Sequence, residues 1–107
     1  AYQQQAAAPA LVRVETEKIR LSQIVVRSEN TLTLIIEKLQ QGELFEDLAK
    51  RYSIDGFSAP KGGDLGEFKR GELDPEIEQL VARLKVGESC TVPLRTQAGL
   101  HIFKRTG

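Results

Sequence analysis

The chain has 107 residues, which is enough for one hydrophobic core and too short for two. Its 15 Lys and Arg residues balance 15 Asp and Glu residues, and this zero net charge argues against a nucleic-acid or anionic-membrane partner held by bulk electrostatics. The composition, 40% apolar and 28% charged with no apolar run that could span a bilayer, is that of a globular protein without membrane insertion.

The composition of the first 17 residues predicts a linker or tail, and the sequence patterns of residues 18–107 predict the folded domain. The opening "AYQQQAAAPA" is rich in Gln and Ala and has no apolar period. It lacks the basic start and apolar centre of a secretory signal, so we interpret the chain as a piece of a longer protein. The end of a helix from a neighbouring domain would have a similar composition, and this alternative stays open.

One strand and two helices are predicted next. Residues 18–26, "KIRLSQIVV", alternate as a strand does, with polar Gln23 among the apolar residues of one face. "SEN" at 28–30 supplies capping side chains before an apolar helical stripe, which Gly42 ends. A second helix follows at once and ends near Ser53. The two stripes are Leu32, Ile35, Ile36 and Leu39, and then Phe45, Leu48, Ala49 and Tyr52.

A loop of about ten residues at 54–63 is long enough to suggest a functional role. "DLGEF" then predicts a short strand, which the adjacent Gly62 and Gly63 allow the chain to enter by a sharp turn. "ELDPEIEQLVARL" is the clearest predicted helix, with Asp74 as its cap and Pro75 at its first position. Its apolar stripe consists of Ile77, Leu80, Val81 and Leu84.

Two final strands, "ESCTVPLRT" and "GLHIFKR", predict a hairpin joined by "QAG". Cys90, the only cysteine, excludes an internal disulfide and a cysteine-rich zinc site, and we expect it to be a small packed residue. The mixed order of elements with a terminal hairpin predicts an α+β fold, in which helices pack on a small, mainly antiparallel sheet.

Several words of the sequence, in order, resemble a known family. "GELFEDLAKRYS", "GGDLGEF", "GELDPEI", "VGES" and "TQAGLHIFK" are similar to the signature of parvulin-type peptidyl-prolyl isomerases, the PpiC/SurA-like rotamases. The resemblance covers residues 18–104. It implies a four-stranded, mainly antiparallel sheet surrounded by helices.

The resemblance also implies an activity. Parvulins catalyse rotation about the peptide bond before proline, whose barrier is about 18–20 kcal/mol. They need no metal or cofactor, and bacterial members help exported proteins to fold, often as one module of a larger chaperone. We therefore expect proline-containing segments of unfolded proteins as partners, a monomeric domain within a longer chain, and a periplasmic or otherwise extracytoplasmic location.

The family's site residues fall on identifiable positions. Its central pair of imidazoles falls on Gln23 and His101, so only the second keeps its type. The residue that is Cys or Asp in different parvulins falls on Asp55, and the hydroxyl before the final turn falls on Thr96. The proline pocket falls on four aliphatic side chains, where relatives frequently have Met and Phe at the second and third positions: Leu65, Leu73, Ile77 and Leu100.

Each of these residues also has a simpler interpretation. A lone strand histidine such as His101 is by default a structural residue, and Gln23 could satisfy a backbone group. Asp55 before Gly56 suits a turn. Leu73 and Ile77 could both belong to the core.

Two hypotheses for function follow. The first is an active isomerase with an aliphatic pocket and one titrating imidazole, because glutamine shares the hydrogen-bonding ability of neutral histidine but does not titrate. The second is a parvulin module of weak or no activity that binds apolar client segments as a chaperone, which Gln23, Ile77 and Ala98 motivate. A purely structural domain is a third, less favoured, alternative.

Overall fold

The computed structural model describes residues 18–69 and 71–107, and the linker predicted for residues 1–17 lies outside them. The strands are β1 (Lys18–Val26), β2 (Asp64–Lys69), β3 (Ser89–Thr96) and β4 (Gly99–Arg105). The helices are α1 (Glu29–Gln40), α2 (Phe45–Tyr52) and α3 (Pro75–Val81), with one 3₁₀ turn at Ala59–Lys61. None of these helices has the length and apolarity needed to cross a bilayer. The predicted α+β fold is confirmed.

The four strands form one antiparallel sheet in the order β2-β1-β4-β3. In its register, Gln23 of β1 lies opposite Phe103 of β4, and His101 of β4 lies opposite Leu94 of β3. Residues directly opposite one another in an antiparallel pair project from the same face. The side chains of Gln23, His101 and Leu94 therefore share one face of the sheet.

The two faces of the sheet carry separate apolar clusters. Helices α1 and α2 cover one face, where Ile24, Leu100 and Ile102 pack with helical residues that include Ile35 and Phe45. Helix α3 covers the other face through a smaller buried cluster of Leu21, Val81 and Phe103. Partly buried side chains surround this second cluster, and they are Ile19, Leu65, Phe68, Leu73, Ile77, Leu80, Leu84 and Leu94.

The ends of the helices follow local chemistry, with one exception. The Ser28 hydroxyl accepts hydrogen bonds from the N–H groups of Asn30 and Thr31, so Ser28 is the capping side chain that was predicted within residues 28–30. Helix α3 begins at Pro75 as predicted but ends at Val81, so the extension to Leu84 is wrong. There the Leu84 N–H donates to the Val81 carbonyl three residues back, and the chain leaves the helix in a tighter turn.

Candidate active site

The four predicted catalytic side chains lie in one chain of hydrogen bonds. The Gln23 amide nitrogen donates to Asp55 Oδ2 over 2.9 Å, and the Gln23 amide oxygen lies 3.1 Å from His101 Nδ1. The other ring nitrogen of His101, Nε2, lies 2.6 Å from the Thr96 hydroxyl. Residues from β1, β3, β4 and the 54–63 loop thus meet at one place.

Gly63 fixes the position of Gln23. Its carbonyl accepts the Gln23 backbone N–H over 2.8 Å, and its φ of +88° lies in the left-handed region that favours glycine. A Cβ at this position would lie 2.5 Å from the Gln23 carbonyl oxygen. The glycine pair in "KGGDLGEF" therefore lets the loop approach β1 closely, in addition to providing the predicted sharp turn.

The partners determine which atoms carry protons. An ionised carboxylate only accepts, so the Gln23 amide must turn its NH₂ toward Asp55 and its oxygen toward His101. His101 Nδ1 then donates to that oxygen, and the unprotonated Nε2 accepts from the Thr96 hydroxyl. The Thr96 oxygen in turn accepts the Ala98 N–H over 3.1 Å. Asp55 thus selects the tautomer of His101 through Gln23.

Ser58, which the sequence reasoning missed, extends this series of hydrogen bonds beyond Asp55. Its fully buried hydroxyl donates to Asp55 Oδ2 over 2.6 Å. This hydrogen bond is the main reason that the pKa of Asp55 lies below its usual range; partial burial opposes the shift, and the Gln23 amide adds to it. Asp55 Oδ1 also accepts the Phe57 N–H, so the carboxylate has the predicted turn role as well. The Asp-x-x-Ser spacing at 55–58 was the available signal.

His101 is held in its neutral form. Burial lowers the pKa of its imidazole, and the charge of Asp55 opposes that shift. Its ring lies within 15° of parallel to the Phe103 ring, with 6.1 Å between their centroids. Because a shift below the usual value of about 6.5 favours the neutral ring, His101 acts at pH 7 as one donor and one acceptor.

A cavity of about 380 Å³ opens beside the hydrogen-bonded side chains of Gln23, His101 and Thr96. Its volume lies within the range of small-ligand pockets. Its polar wall is the side chains of Gln23, Thr96 and His101. The remaining lining comes from β3 and from the start of α3, namely Leu94, Asp74, Pro75, Glu76 and Ile77. The cavity thus pairs a polar wall with aliphatic side chains. Among the described residues, no group of three or more His, Cys, Asp or Glu side chains is arranged to hold a metal ion.

The four predicted pocket residues have different outcomes. Ile77 lines the cavity, and Leu65 lies in the apolar cluster on the same face of the sheet. Leu73 lies in that cluster too but lines a second cavity of about 330 Å³, on the Ile19 and Phe68 side of α3. Their contact with a proline ring stays a prediction.

The prediction for Leu100 is wrong. Its side chain is only 4% exposed and packs under α1 and α2, on the face of the sheet opposite the cavity. Neighbouring strand residues project to opposite faces, so Leu100 cannot share the face of His101. Leu94, which lies opposite His101 on β3 and lines the cavity, is the apolar residue that the sequence reasoning missed.

Comparison with known proteins identifies the family of the chain. A family model described as "Rotamase: PPIC-type PPIASE domain" matches residues 13–107. Foldase protein PrsA of Bacillus subtilis is 49% identical over 90 residues, which is 83% of this chain and 30% of that protein. The chain therefore spans less than a third of the length of this curated relative.

Solved structures give the same result. PrsA from Bacillus cereus, described as a peptidylprolyl isomerase, superposes with a TM-score of 0.79 at 38% identity, over 94% of this chain and 38% of that one. NmPin, the parvulin of Nitrosopumilus maritimus, superposes with a TM-score of 0.73 at 41% identity, over 86% of this chain and 98% of that one. With the family model matching most of its length, the chain belongs to the PPIC-type peptidyl-prolyl isomerase family, the parvulins.

Proposed function

We propose that the domain uses the cavity beside His101 to accelerate cis–trans rotation about X-Pro bonds in unfolded polypeptides. The observation that carries the proposal is the pairing of a fixed chain of hydrogen-bonding groups with aliphatic side chains in one cavity. Membership of an isomerase family fits this chemistry.

The physical requirement is a site that binds the twisted amide better than the planar one. Resonance across the C–N bond makes the barrier of about 18–20 kcal/mol. In the twisted state the carbonyl loses conjugation and the nitrogen becomes pyramidal, so the polarity of the amide changes while no covalent bond forms or breaks. Groups already fixed in space stabilise such a change without reorganising.

In this mechanism Ile77 and Leu94 contact the proline ring, while the imidazole of His101 and the hydroxyl of Thr96 face the rotating amide. Asp55 and Gln23 act through His101, because they hold its ring in one tautomer. A polar wall that keeps its orientation while the substrate rotates is the source of the rate enhancement.

Exchange spectroscopy on Ala-Ala-Pro-Phe tests the proposal, with a matched pair of variants at Thr96. Thr96→Val removes the hydroxyl while preserving the shape of the side chain, and Thr96→Ser keeps the hydroxyl. We expect Thr96→Val and His101→Ala to lower kcat/KM about tenfold or more, and Thr96→Ser to stay near the parent value. A parent domain whose exchange rate equals the uncatalysed rate would refute catalysis.

A second candidate function is the binding of apolar client segments without catalysis. It is favoured by two apolar side chains that flank Asp55 in the loop, Ile54 at 48% and Phe57 at 68% exposure. Exposed apolar side chains in the loop that carries Asp55 suit contact with an extended client. Chemical-shift mapping with the same peptide separates the two functions, since saturable binding at the cavity without faster exchange supports binding alone.

We further propose that the clients are proteins folding outside the cytoplasm and that the domain works as a monomeric unit of a longer foldase. The relatives named foldases support polypeptide clients, and the chain spans 30% of the length of one of them. Fractionation of cells that produce the full-length protein, followed by immunodetection, tests the location. Recovery in the cytoplasmic fraction alone would contradict it.

A further inference from the structure

The charged groups that line the cavity beside His101 all have the same sign. Its lining contains Asp74 and Glu76, and it contains no Lys or Arg among the residues that the structure describes. This contrasts with the zero net charge of the whole chain. A substrate that enters the cavity therefore meets two carboxylates that its lining does not neutralise.

Among the residues that the structure describes, these two carboxylates bind no other group of the fold. Asp74 occupies the cap position of α3, but its side chain makes no capping hydrogen bond. Within the described part of the chain, neither Asp74 nor Glu76 takes part in a side-chain hydrogen bond or an ion pair, whereas the nearby Glu78 accepts the Gly71 N–H over 2.8 Å. Helix polarity favours acidic residues at this end of a helix, which accounts for their sign.

The nearest cation along β3 is already paired. Arg95, which precedes Thr96, forms an ion pair with Glu29 of α1 over 2.8 Å. Residues adjacent on a strand project to opposite faces, so Arg95 points away from the face on which Leu94 lines the cavity. Its charge is thus directed to the α1 side of the sheet rather than toward Asp74 and Glu76.

We propose that Asp74 and Glu76 are specificity-determining residues, which make the site prefer X-Pro segments with a Lys or Arg beside the proline over segments with Asp or Glu there. This inference rests on the proposed function, since it names the substrate class of the same cavity. One pair of unit charges roughly 6 Å apart in a largely aqueous site changes binding by about threefold to tenfold. Salt weakens the effect, because the Debye length falls from about 10 Å at 0.1 M to about 3 Å at 1 M.

Two peptide series test the preference. Ala-X-Pro-Phe places Lys, Gln or Glu before the proline, and Ala-Ala-Pro-X places them after it. Catalysed exchange is measured by NMR at 25 mM and 500 mM NaCl. In at least one series we expect kcat/KM for Lys to exceed that for Glu by about threefold or more at low salt, with Gln between them, and the ratio to approach one at high salt.

A matched pair of double variants assigns the effect to the cavity. D74N/E76Q removes both carboxylates, and Asn at the cap position keeps a good capping side chain. E37Q/D47N makes the same change of net charge at exposed positions of α1 and α2, on the other side of the sheet. We expect D74N/E76Q to bring the Lys-to-Glu ratio close to one and E37Q/D47N to leave it near the parent value.

The outcomes separate this inference from the proposed function. If the domain accelerates exchange equally for Lys, Gln and Glu peptides in both series, the preference is refuted and the isomerase survives. If the Lys-to-Glu ratio of kcat/KM shifts equally in the two double variants, the preference is an effect of net charge, and its assignment to Asp74 and Glu76 is refuted. If no peptide is isomerised faster than in the absence of the domain, the proposed function fails. Chemical-shift titration of the same peptides then decides the charge preference, through the ratio of the dissociation constants of the Glu and Lys peptides.

Discussion

The buried hydroxyl of Ser58 is a small group on which the ionisation of Asp55 depends. We expect Ser58→Ala to lower the free energy of unfolding at pH 7 by about 1.5–3 kcal/mol, the range for a hydrogen bond to a charged group. The native pKa of Asp55 is lower than the unfolded value of about 3.9, so its contribution to stability is complete above about pH 5 and is lost as the pH falls through the native pKa. Ser58→Ala should therefore lose less stability on acidification than the parent domain, as measured by urea unfolding from pH 6 to pH 2.5.

A double variant checks that Ser58 acts through the carboxylate. In the Asp55→Asn background there is no charge at this position to titrate, so adding Ser58→Ala should leave the pH dependence of unfolding unchanged. A further change of slope on adding Ser58→Ala would assign the effect to another group.

The single imidazole of the chain can be titrated without ambiguity. We expect the ¹H–¹³C signal of His101 to give a pKa below 6.5, because burial disfavours the charged ring. The unfolded chain then binds a proton more readily than the native one, so stability falls as the pH drops below about 6.5, until the native ring is protonated too. His101→Gln should flatten this part of the stability profile. A pKa at or above 6.5 would mean that the charge of Asp55 outweighs burial.

At the scale of elements, the turn into β2 holds the site together. Gly63→Ala would combine a left-handed φ of +88° with a Cβ 2.5 Å from the Gln23 carbonyl oxygen, so the loop and β1 must separate. We expect a loss of about 2 kcal/mol or more in unfolding free energy, together with lower catalytic activity because Gln23 moves.

Gly66→Ala is the matched control for that substitution. Gly66 has a similar φ of +92°, but its added Cβ would meet nothing within 4 Å, so only the backbone strain of about 1–2 kcal/mol applies. Thermal unfolding and exchange spectroscopy on both variants separate strain from collision. Equal losses in the two variants would show that contact with Gln23 is unimportant.

Local rules explain why most elements were predictable from the sequence. The Ser28 cap, Pro75 at the start of α3 and the alternation of β1 act within a few residues, so a single sequence contains them. The end of α3 was not predictable in this way, because Leu84 reaches the same apolar cluster from a turn beyond the helix. An apolar stripe records which side chains are buried and not whether the backbone between them is helical.

The site was predictable where positions could be matched to a family and less so where packing decides. Asp55, Gln23, His101 and Thr96 were placed by resemblance and do meet. Strand alternation alone should have separated Leu100 from its neighbour His101. The Asp-x-x-Ser spacing at 55–58 is visible in the sequence, but the burial of Ser58 is not, because it depends on how the 54–63 loop folds against the rest of the domain.

At the scale of the whole molecule, the sheet separates a supporting face from a binding face. Leu100→Ala should lower the free energy of unfolding by about 2–5 kcal/mol through the cavity it leaves in the core, with little effect on KM. Ile77→Ala, at a partly exposed position that lines the cavity, should do the reverse, with a raised KM and a smaller loss of stability. Chemical denaturation and steady-state kinetics on both variants check the assignment. A raised KM in Leu100→Ala, at a temperature where it is folded, would contradict it.

The last residues of the domain pair with the beginning of β1. The Arg20 carbonyl accepts the Thr106 N–H over 2.8 Å, and the Arg20 N–H donates to the Gly107 carbonyl over 3.2 Å. The two ends of the described fold are therefore neighbours. A domain with neighbouring ends can be inserted into a surface loop of a host protein without distorting the host. A unit joined to its host at two adjacent points can reorient about them as one body.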